Sequence, residues 1–375
     1  MTEAELTDRI PMIPPYRVIS RVQILAETKD YNHEMMNVPA MWKETMGAGI
    51  KVVVLDTGLP KHPDLRPDEK SKSFIGDYLE DKNGHSTHVG GIIAAIANNG
   101  MGVAGIAPEC EDFYGAVLGE DGGGSIQGII DGIRWAVDEV GANVINMSLG
   151  IAAGYPNIPE LEAACDYARD QGVAVICAAG NEAGGVGQPA CYDSCIAVAA
   201  VNSKREQAWF SNTGPEVDFA SGGVDVYSTY LNNGYAKLSG TSMASPALAG
   251  IATLILADEM KDHGKLLSPD ELVEKMKKIA YDVGEEGFDD IYGHGIPIFR
   301  SGDGDPDEPD TGEPPEYPDE PPDSGCRLGL PMAKHFVDGA VSSLAARSDL
   351  TAAVEGGLKE LQKFIRRLEV SQKSR

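Results

Sequence analysis

The sequence predicts an α/β protein built in layers around a mostly parallel sheet. Three observations carry this. Between residues 50 and about 200, short apolar runs alternate with amphipathic stretches. The runs are continuous rather than alternating, as in strands covered on both faces. Forty-four glycines spread through 375 residues supply the tight turns such a chain needs. In sheets of this kind ligands bind beyond the carboxyl ends of the strands, so polar residues that follow a strand are candidates for function.

The first strand is "IKVVVLD" (50–56), and "NGHSTHVGGIIAAI" (83–96) begins a helical run at His85. "DFYGAVL" (112–118) is the next strand, followed by the amphipathic helix "SIQGIIDGIRWAVDEV" (125–140). A strand in "ANVINMSL" (142–149), a helix in "IPELEAACDYARDQG" (158–172) and strands in "VAVICAAG" (173–180) and "CIAVAAV" (195–201) continue the alternation. In "KLSGTSMASPALAG" (237–250), Thr241 and Ser242 are good helix caps and Pro246 is tolerated in a first turn. The apolar run "ALAGIATLILADEM" (247–260) then reads as a buried helix.

Beyond residue 300 the composition changes. Residues 301–325 hold ten acidic residues, seven prolines and no basic residue, so they form no packed core and read as an extended acidic linker. In 326–375, Leu350, Val354, Leu358, Leu361, Ile365 and Leu368 recur at helical spacing opposite a basic face, which predicts a helical hairpin. Its apolar stripe is expected to dock on the main domain or on another subunit.

A net charge of −27 argues against nucleic-acid binding, because a phosphate backbone would be repelled by most of the surface. The segment "MTEAELTDRIPMIPPY" lacks an apolar run long enough for a signal peptide, and no later stretch is a convincing membrane span. The expectation is a cytoplasmic protein that does not engage a membrane. Cys110, Cys165, Cys177, Cys191, Cys195 and Cys326 show neither metal-pair spacing nor a disulfide framework. Cys165 and Cys177 read as small core residues, and Cys191 and Cys195 as two thiols flanking a short turn.

Three strand ends carry residues able to do chemistry: Asp56, His85 and Asn181. Each has an ordinary structural explanation, since aspartate and asparagine form turns after strands and a histidine can sit beside a helix cap. His85 and His88 stand three apart, but no further ligands accompany them in a zinc spacing. Ser242 lies outside a G-x-S-x-G elbow, because Ala244 replaces the second glycine.

Together, "VVVLDTG", "GHSTHVGG", "INMSLG", "AAGNE" and "SGTSMASP" resemble signatures of the subtilisin family of serine proteases, in the Asp, His, Ser order of that family. Five matches in sequence make chance convergence negligible, and the resemblance extends over roughly 35–300. It implies a three-layer subtilisin-like fold and an endopeptidase acting on protein or peptide substrates. Ser242 would be the nucleophile, His85 the base and Asp56 its orienting partner. Asn181 and the backbone N–H of Ser242 would stabilise the oxyanion. Ser148, Leu149 and Gly150 would form the edge that pairs with substrate, and Ala178, Ala179 and Gly180 the opposite pocket wall. Two departures are noted: Ser86 stands where the family has glycine after the histidine, and Ala247 where a histidine is common.

The same resemblance implies calcium at "IANNGMGV", with Asn99, the carbonyls of Ile96, Met101 and Val103, and the Asp64 carboxylate as ligands. "MIPPYRVI" resembles the N-terminal extension of intracellular subtilisins, with Ile13, Pro14, Pro15 and Tyr16 as a segment that blocks the cleft until removed. Prolines keep such a segment extended and remove N–H donors. A second copy of the chain is a candidate partner, as intracellular relatives are often dimeric. The expected organisation is an inhibitory extension (1–30), a peptidase domain (31–300), the acidic linker (301–325) and the helical hairpin (326–375). A non-catalytic scaffold acting through the linker and C-terminal helices is the alternative from another class; an extracellular protease with a Cys191–Cys195 bridge is a third.

Overall fold

A computed structural model describes residues 10–13, 17–22, 27–77 and 79–299. The acidic linker, the C-terminal hairpin, and Pro14, Pro15 and Tyr16 of the expected inhibitory segment lie outside the described residues.

In chain order the elements are β1 (Ile10–Pro11), β2 (Arg17–Val22), α1 (Tyr31–Met35), α2 (Val38–Met41), β3 (Lys51–Asp56), β4 (Lys72–Ser73) and α3 (His85–Ala94). Then come β5 (Glu111–Ala116), β6 (Gly123–Gly124), α4 (Ile126–Trp135), β7 (Val144–Met147), α5 (Pro159–Asp170), β8 (Ala174–Ala178), β9 (Cys195–Val201) and β10 (Val217–Gly222). The described chain closes with β11 (Val226–Tyr230), β12 (Gly234–Ser239), α6 (Thr241–His263), α7 (Pro269–Ile279), β13 (Ala280–Tyr281) and β14 (Ile296–Pro297).

Seven strands form the central sheet in the order β10-β9-β8-β7-β3-β5-β4, and every pairing is parallel. The predicted architecture is therefore the observed one. Strands β8 and β9 are buried at every position, which explains their unbroken apolar sequences. Helices α3 and α6 pack on each other and α6 crosses β7, β8, β9 and β10; α4 and α5 pack on each other against β3 and β8. The α6 helix is apolar and long enough to cross a membrane by composition, but it is the buried core helix of this domain.

After β3 the chain first builds β4 and β5 on one side, then crosses to β7 on the other. That reversal opens a crevice at the carboxyl ends of β3 and β7, where side chains following these strands converge. A smaller antiparallel sheet, β11-β12-β2, uses the N-terminal strand β2 as one edge, and β1 pairs with β6.

Candidate active site

Asp56 is the last residue of β3 and His85 the first of α3. Both Asp56 carboxylate oxygens lie 2.9 Å from His85 Nδ1, and both side chains are wholly buried. A carboxylate facing Nδ1 holds the proton there and leaves Nε2 as the basic nitrogen. Gly84 introduces α3 with a φ of +96°, and a Cβ there would lie 2.6 Å from the Tyr230 ring, so only glycine lets the histidine start the helix at this point.

Beneath the pair a second carboxylate ties the two elements together. Asp81 accepts hydrogen bonds from Thr57 Oγ1 at 2.9 Å, Thr87 N at 2.8 Å, Thr87 Oγ1 at 2.6 Å and Gly84 N at 2.9 Å. Burial pushes its pKa up, while the Thr87 and Gly84 donors oppose that shift. Ser86, the departure from the family glycine, adds to the same seam: its hydroxyl donates to the Gly58 carbonyl at 2.6 Å and its N–H to Thr57 Oγ1 at 3.0 Å. Sequence reasoning passed over Asp81, although an acid four residues before His85 was visible. His88 has no place in a metal site: its Nε2 lies 3.0 Å from the Ala236 carbonyl and 3.1 Å from the Val226 carbonyl, and burial pushes its pKa down to about 3.

The cap at the start of α6 differs from the expectation. Thr241 and Ser242 are its first two helical residues, and the cap position is Gly240, which has no side chain to serve. The capping group comes from elsewhere: Asn181 Oδ1 accepts from Thr241 N at 2.8 Å and from Thr241 Oγ1 at 2.9 Å. These donors fix the amide orientation, because only the oxygen can face an N–H. Asn181 Nδ2 is thereby turned away, buried and without a hydrogen-bond partner. A buried amide lacking an acceptor costs about 1–3 kcal/mol, so it marks a place where an acceptor belongs.

Pro246 is also later than expected, being the sixth residue of α6 rather than part of its first turn. Having no N–H, it leaves the Ser242 carbonyl without its helical donor. The Ser148 hydroxyl fills that role at 2.9 Å, while the Ser242 hydroxyl donates to the Ser148 carbonyl at 3.2 Å. Asn146, inside β7, supports both ends by donating to Ser148 Oγ at 3.0 Å and accepting from Ser245 Oγ at 2.5 Å.

Of the expected substrate-binding residues, Leu149, Gly150, Ala178, Ala179 and Gly180 line one narrow pocket, together with Ile151, Ala152, Gly187 and Glu182. Ser148 is not in that lining; it sits under Ser242. Glu182 is held as part of the wall, its Oε2 accepting from Asn181 N at 3.0 Å and Asn212 Nδ2 at 2.8 Å.

Residues 10–13 are hydrogen-bonded to two segments, one of which, at Gly150, lines this pocket. Ile10 and Pro11 pair antiparallel with Gly124 and Gly123; Met12 N and Ile13 N donate to the Gly122 carbonyl at 3.2 and 3.3 Å. In the other segment Gly150 N donates to the Met12 carbonyl at 2.9 Å. Gly122, with a φ of +75°, leaves room for Ile13, whose Cβ lies 3.3 Å from where a Cβ on Gly122 would stand. Met12 and Ser242 are each only 1% exposed and His85 not at all.

The expected calcium loop brings Asp64 and Asn99 together, but through hydrogen bonds. Asp64 Oδ1 accepts from Asn99 Nδ2 at 2.5 Å, and Oδ2 accepts from Val103 N at 3.0 Å and Tyr235 OH at 3.2 Å. The Asn99 oxygen accepts from Met101 N at 2.9 Å. Ile96 enters through its N–H, which donates to the Asp64 carbonyl. Glu27, missed in the sequence, closes the loop by accepting from Asn99 N at 3.0 Å. The donor set is all oxygen, as a hard cation requires, yet Asn99 presents its nitrogen to Asp64, so an ion between them needs the amide turned over. No cluster of three or more histidine, cysteine or acidic ligands occurs among the described residues.

A hydroxyl at a helix N-terminus, a carboxylate-held imidazole and an unpaired amide donor share one chemistry, acyl transfer through an oxyanion, and that defines a serine hydrolase. Comparison with known proteins narrows the class: residues 47–295 match the subtilase family, Peptidase S8, and the chain belongs to that family of serine endopeptidases. It is 42% identical over 255 residues to the major intracellular serine protease of Bacillus subtilis, covering 64% of this chain and 78% of that protein. It is 41% identical over 261 residues to the intracellular serine protease of Paenibacillus polymyxa, covering 65% and 77%. The minor extracellular protease Epr of Bacillus subtilis matches at 37% over 278 residues; this chain's 73% spans only 41% of that longer protein.

Proposed function

We propose that this subtilase cleaves peptide bonds with Ser242 as nucleophile and that its own N-terminal segment holds it inactive until removed. In the reaction, Ser242 Oγ attacks the scissile carbonyl and gives its proton to His85 Nε2, which passes it to the leaving amine. Asp56 keeps the ring in the tautomer that accepts this proton and stabilises the imidazolium. The unpaired Asn181 amide and the Ser242 N–H at the positive end of α6 take the oxyanion. Water then releases the acyl group by the reverse route.

One observation carries the self-block. Residues 10–13 are hydrogen-bonded as an added strand to Gly122–Gly124 on one rim and Gly150 on the other, where a substrate backbone would pair. The arrangement supports a peptidase domain preceded by an inhibitory extension. Free thiols at Cys191 and Cys195 and two relatives described as intracellular support assignment to the cytoplasm. Calcium at the Asp64–Asn99 loop belongs to the same reading: bound there, it would brace the loop that joins α3 to β5, with Asp64, Asn99 and Glu27 as oxygen donors.

Intact-mass spectrometry of the full chain and of Ser242→Ala, with and without a fluorophosphonate, tests the proposal. A single adduct on the wild type alone, and loss of N-terminal residues in the wild type alone, is the expected result. No adduct on either chain, before or after N-terminal trimming, overturns it.

A further inference from the structure

The strand that follows the blocked rim, β2, lies antiparallel on β12 over its whole length. Arg17 faces Ser239, Val18 faces Leu238, Ser20 faces Lys237, Arg21 faces Ala236 and Val22 faces Tyr235, with Ile19 as the extra residue of a bulge. The other edge of β12 is taken by β11. Ser239, the last residue of β12, stands three residues before Ser242, so this edge ends at the turn that carries the candidate nucleophile. Of the described N-terminal residues, 10–13 pair with Gly122–Gly124 and Gly150, and 17–22 pair with β12.

We infer that the outer edge of β12 is a binding strand for the part of a polypeptide substrate that follows the cleaved bond, reaching well past its second residue and filled here by β2. The inference rests on the self-block reading, because β2 must leave before a substrate can take its place. Strand addition draws its affinity from main-chain groups, so it accepts many sequences and demands an extended chain. The ligand class is therefore unfolded polypeptide with about six residues beyond the bond, in preference to short peptides. Tight folded proteins offer no such free strand.

The test starts from the purified full chain, allowed to process itself, with its new N-terminus read by mass. kcat/KM is then measured on peptides that share the residues before the bond and carry two, four or six after it. Two further six-residue peptides are N-methylated on alternate amides. A rise of about tenfold from two to six residues is expected, as two net backbone hydrogen bonds allow. One N-methylated set should abolish the gain and the other leave it. A flat series in enzyme that has lost residues 1–22 overturns the inference and leaves the self-block intact. An active enzyme that keeps residues 17–22 overturns it too, because the edge is then permanently filled. Equal activity of unprocessed and processed chains is the separate failure of the self-block, and takes the inference with it.

Discussion

Ser148 and Ser242 exchange hydrogen bonds in both directions: each hydroxyl donates to the other's carbonyl, at 2.9 Å from Ser148 and 3.2 Å from Ser242. The exchange exists because Pro246 has no N–H to give the Ser242 carbonyl. It joins the turn that carries the candidate nucleophile to the end of β7. Ser148→Ala should therefore lower stability by about 1–2 kcal/mol in denaturant unfolding and reduce kcat about tenfold. Unchanged stability would show that the carbonyl finds another donor.

Asn181→Leu removes the unpaired amide while filling similar volume. kcat should fall by about 100-fold to 1000-fold with KM little altered, the scale known for subtilisin itself, which is the reference case for such a donor. Thr241 loses its capping acceptor in the same variant, so a loss of about 1 kcal/mol in stability should accompany the kinetic effect. A large rise in KM at constant kcat would point instead to a role in substrate binding.

Ser86→Gly restores the family residue and deletes the buried bond to Gly58. The combined loss of that bond and of helix propensity should cost about 1–2 kcal/mol. Turnover of the processed enzyme should stay within a few-fold of wild type, because Asp81 and Thr57 still hold the Asp56–His85 seam. Thermal unfolding and kcat separate the two effects.

Asp218 is mostly buried in β10, with its carboxylate accepting from Ala197 N at 2.8 Å. Burial raises its pKa from 3.8 to about 6, so between these values the folded chain holds a proton that the unfolded chain has lost. Its contribution is full below the lower value and is lost as pH rises through the upper one. Relative to wild type, Asp218→Asn should gain up to about 3 kcal/mol between pH 4 and pH 7.5. Parallel stability curves for the two proteins over that range would refute the assignment.

Calcium should raise the melting temperature of the full chain, and a chelator should reverse the gain. At about 100 times its dissociation constant a bound ion adds ~2.7 kcal/mol. Asp64→Asn should abolish the response. Equal melting temperatures with and without calcium would leave Asp64 as a hydrogen-bond acceptor for Asn99, Val103 and Tyr235 only.

Long buried elements were legible in the sequence because their apolar runs are unbroken: "CIAVAAV" matches β9 residue for residue. The edges that bind chain were not. β6 is two glycines, β4 is Lys-Ser, and β12 (GYAKLS) sets Tyr235 and Leu238 among glycine, alanine, lysine and serine, so none shows an unbroken apolar run. The α7 helix is absent from the expected elements, although Ser268 and Glu271 form a full capping box at its start. Within the candidate site, Asp56, His85, Asn181 and Ser242 were legible only through the resemblance of their segments to family signatures, since each alone has an ordinary structural explanation. Asn181 as the cap of α6 was not, since it reaches Thr241 from 60 positions away.

Strands β1 and β2 belong to the same molecule as the strands they pair with, and in the proposed self-block that sets how the segment behaves. A tethered segment presents itself at an effective concentration of ~1 mM, whatever the concentration of the protein. Dilution does not open it, and a passing peptide must compete against that local excess. Once the tether is cut the advantage disappears, for the freed piece is then only as abundant as the protein that released it. The proposed block would therefore work in one direction: indifferent to the amount of enzyme present before the cut, and without a way back after it.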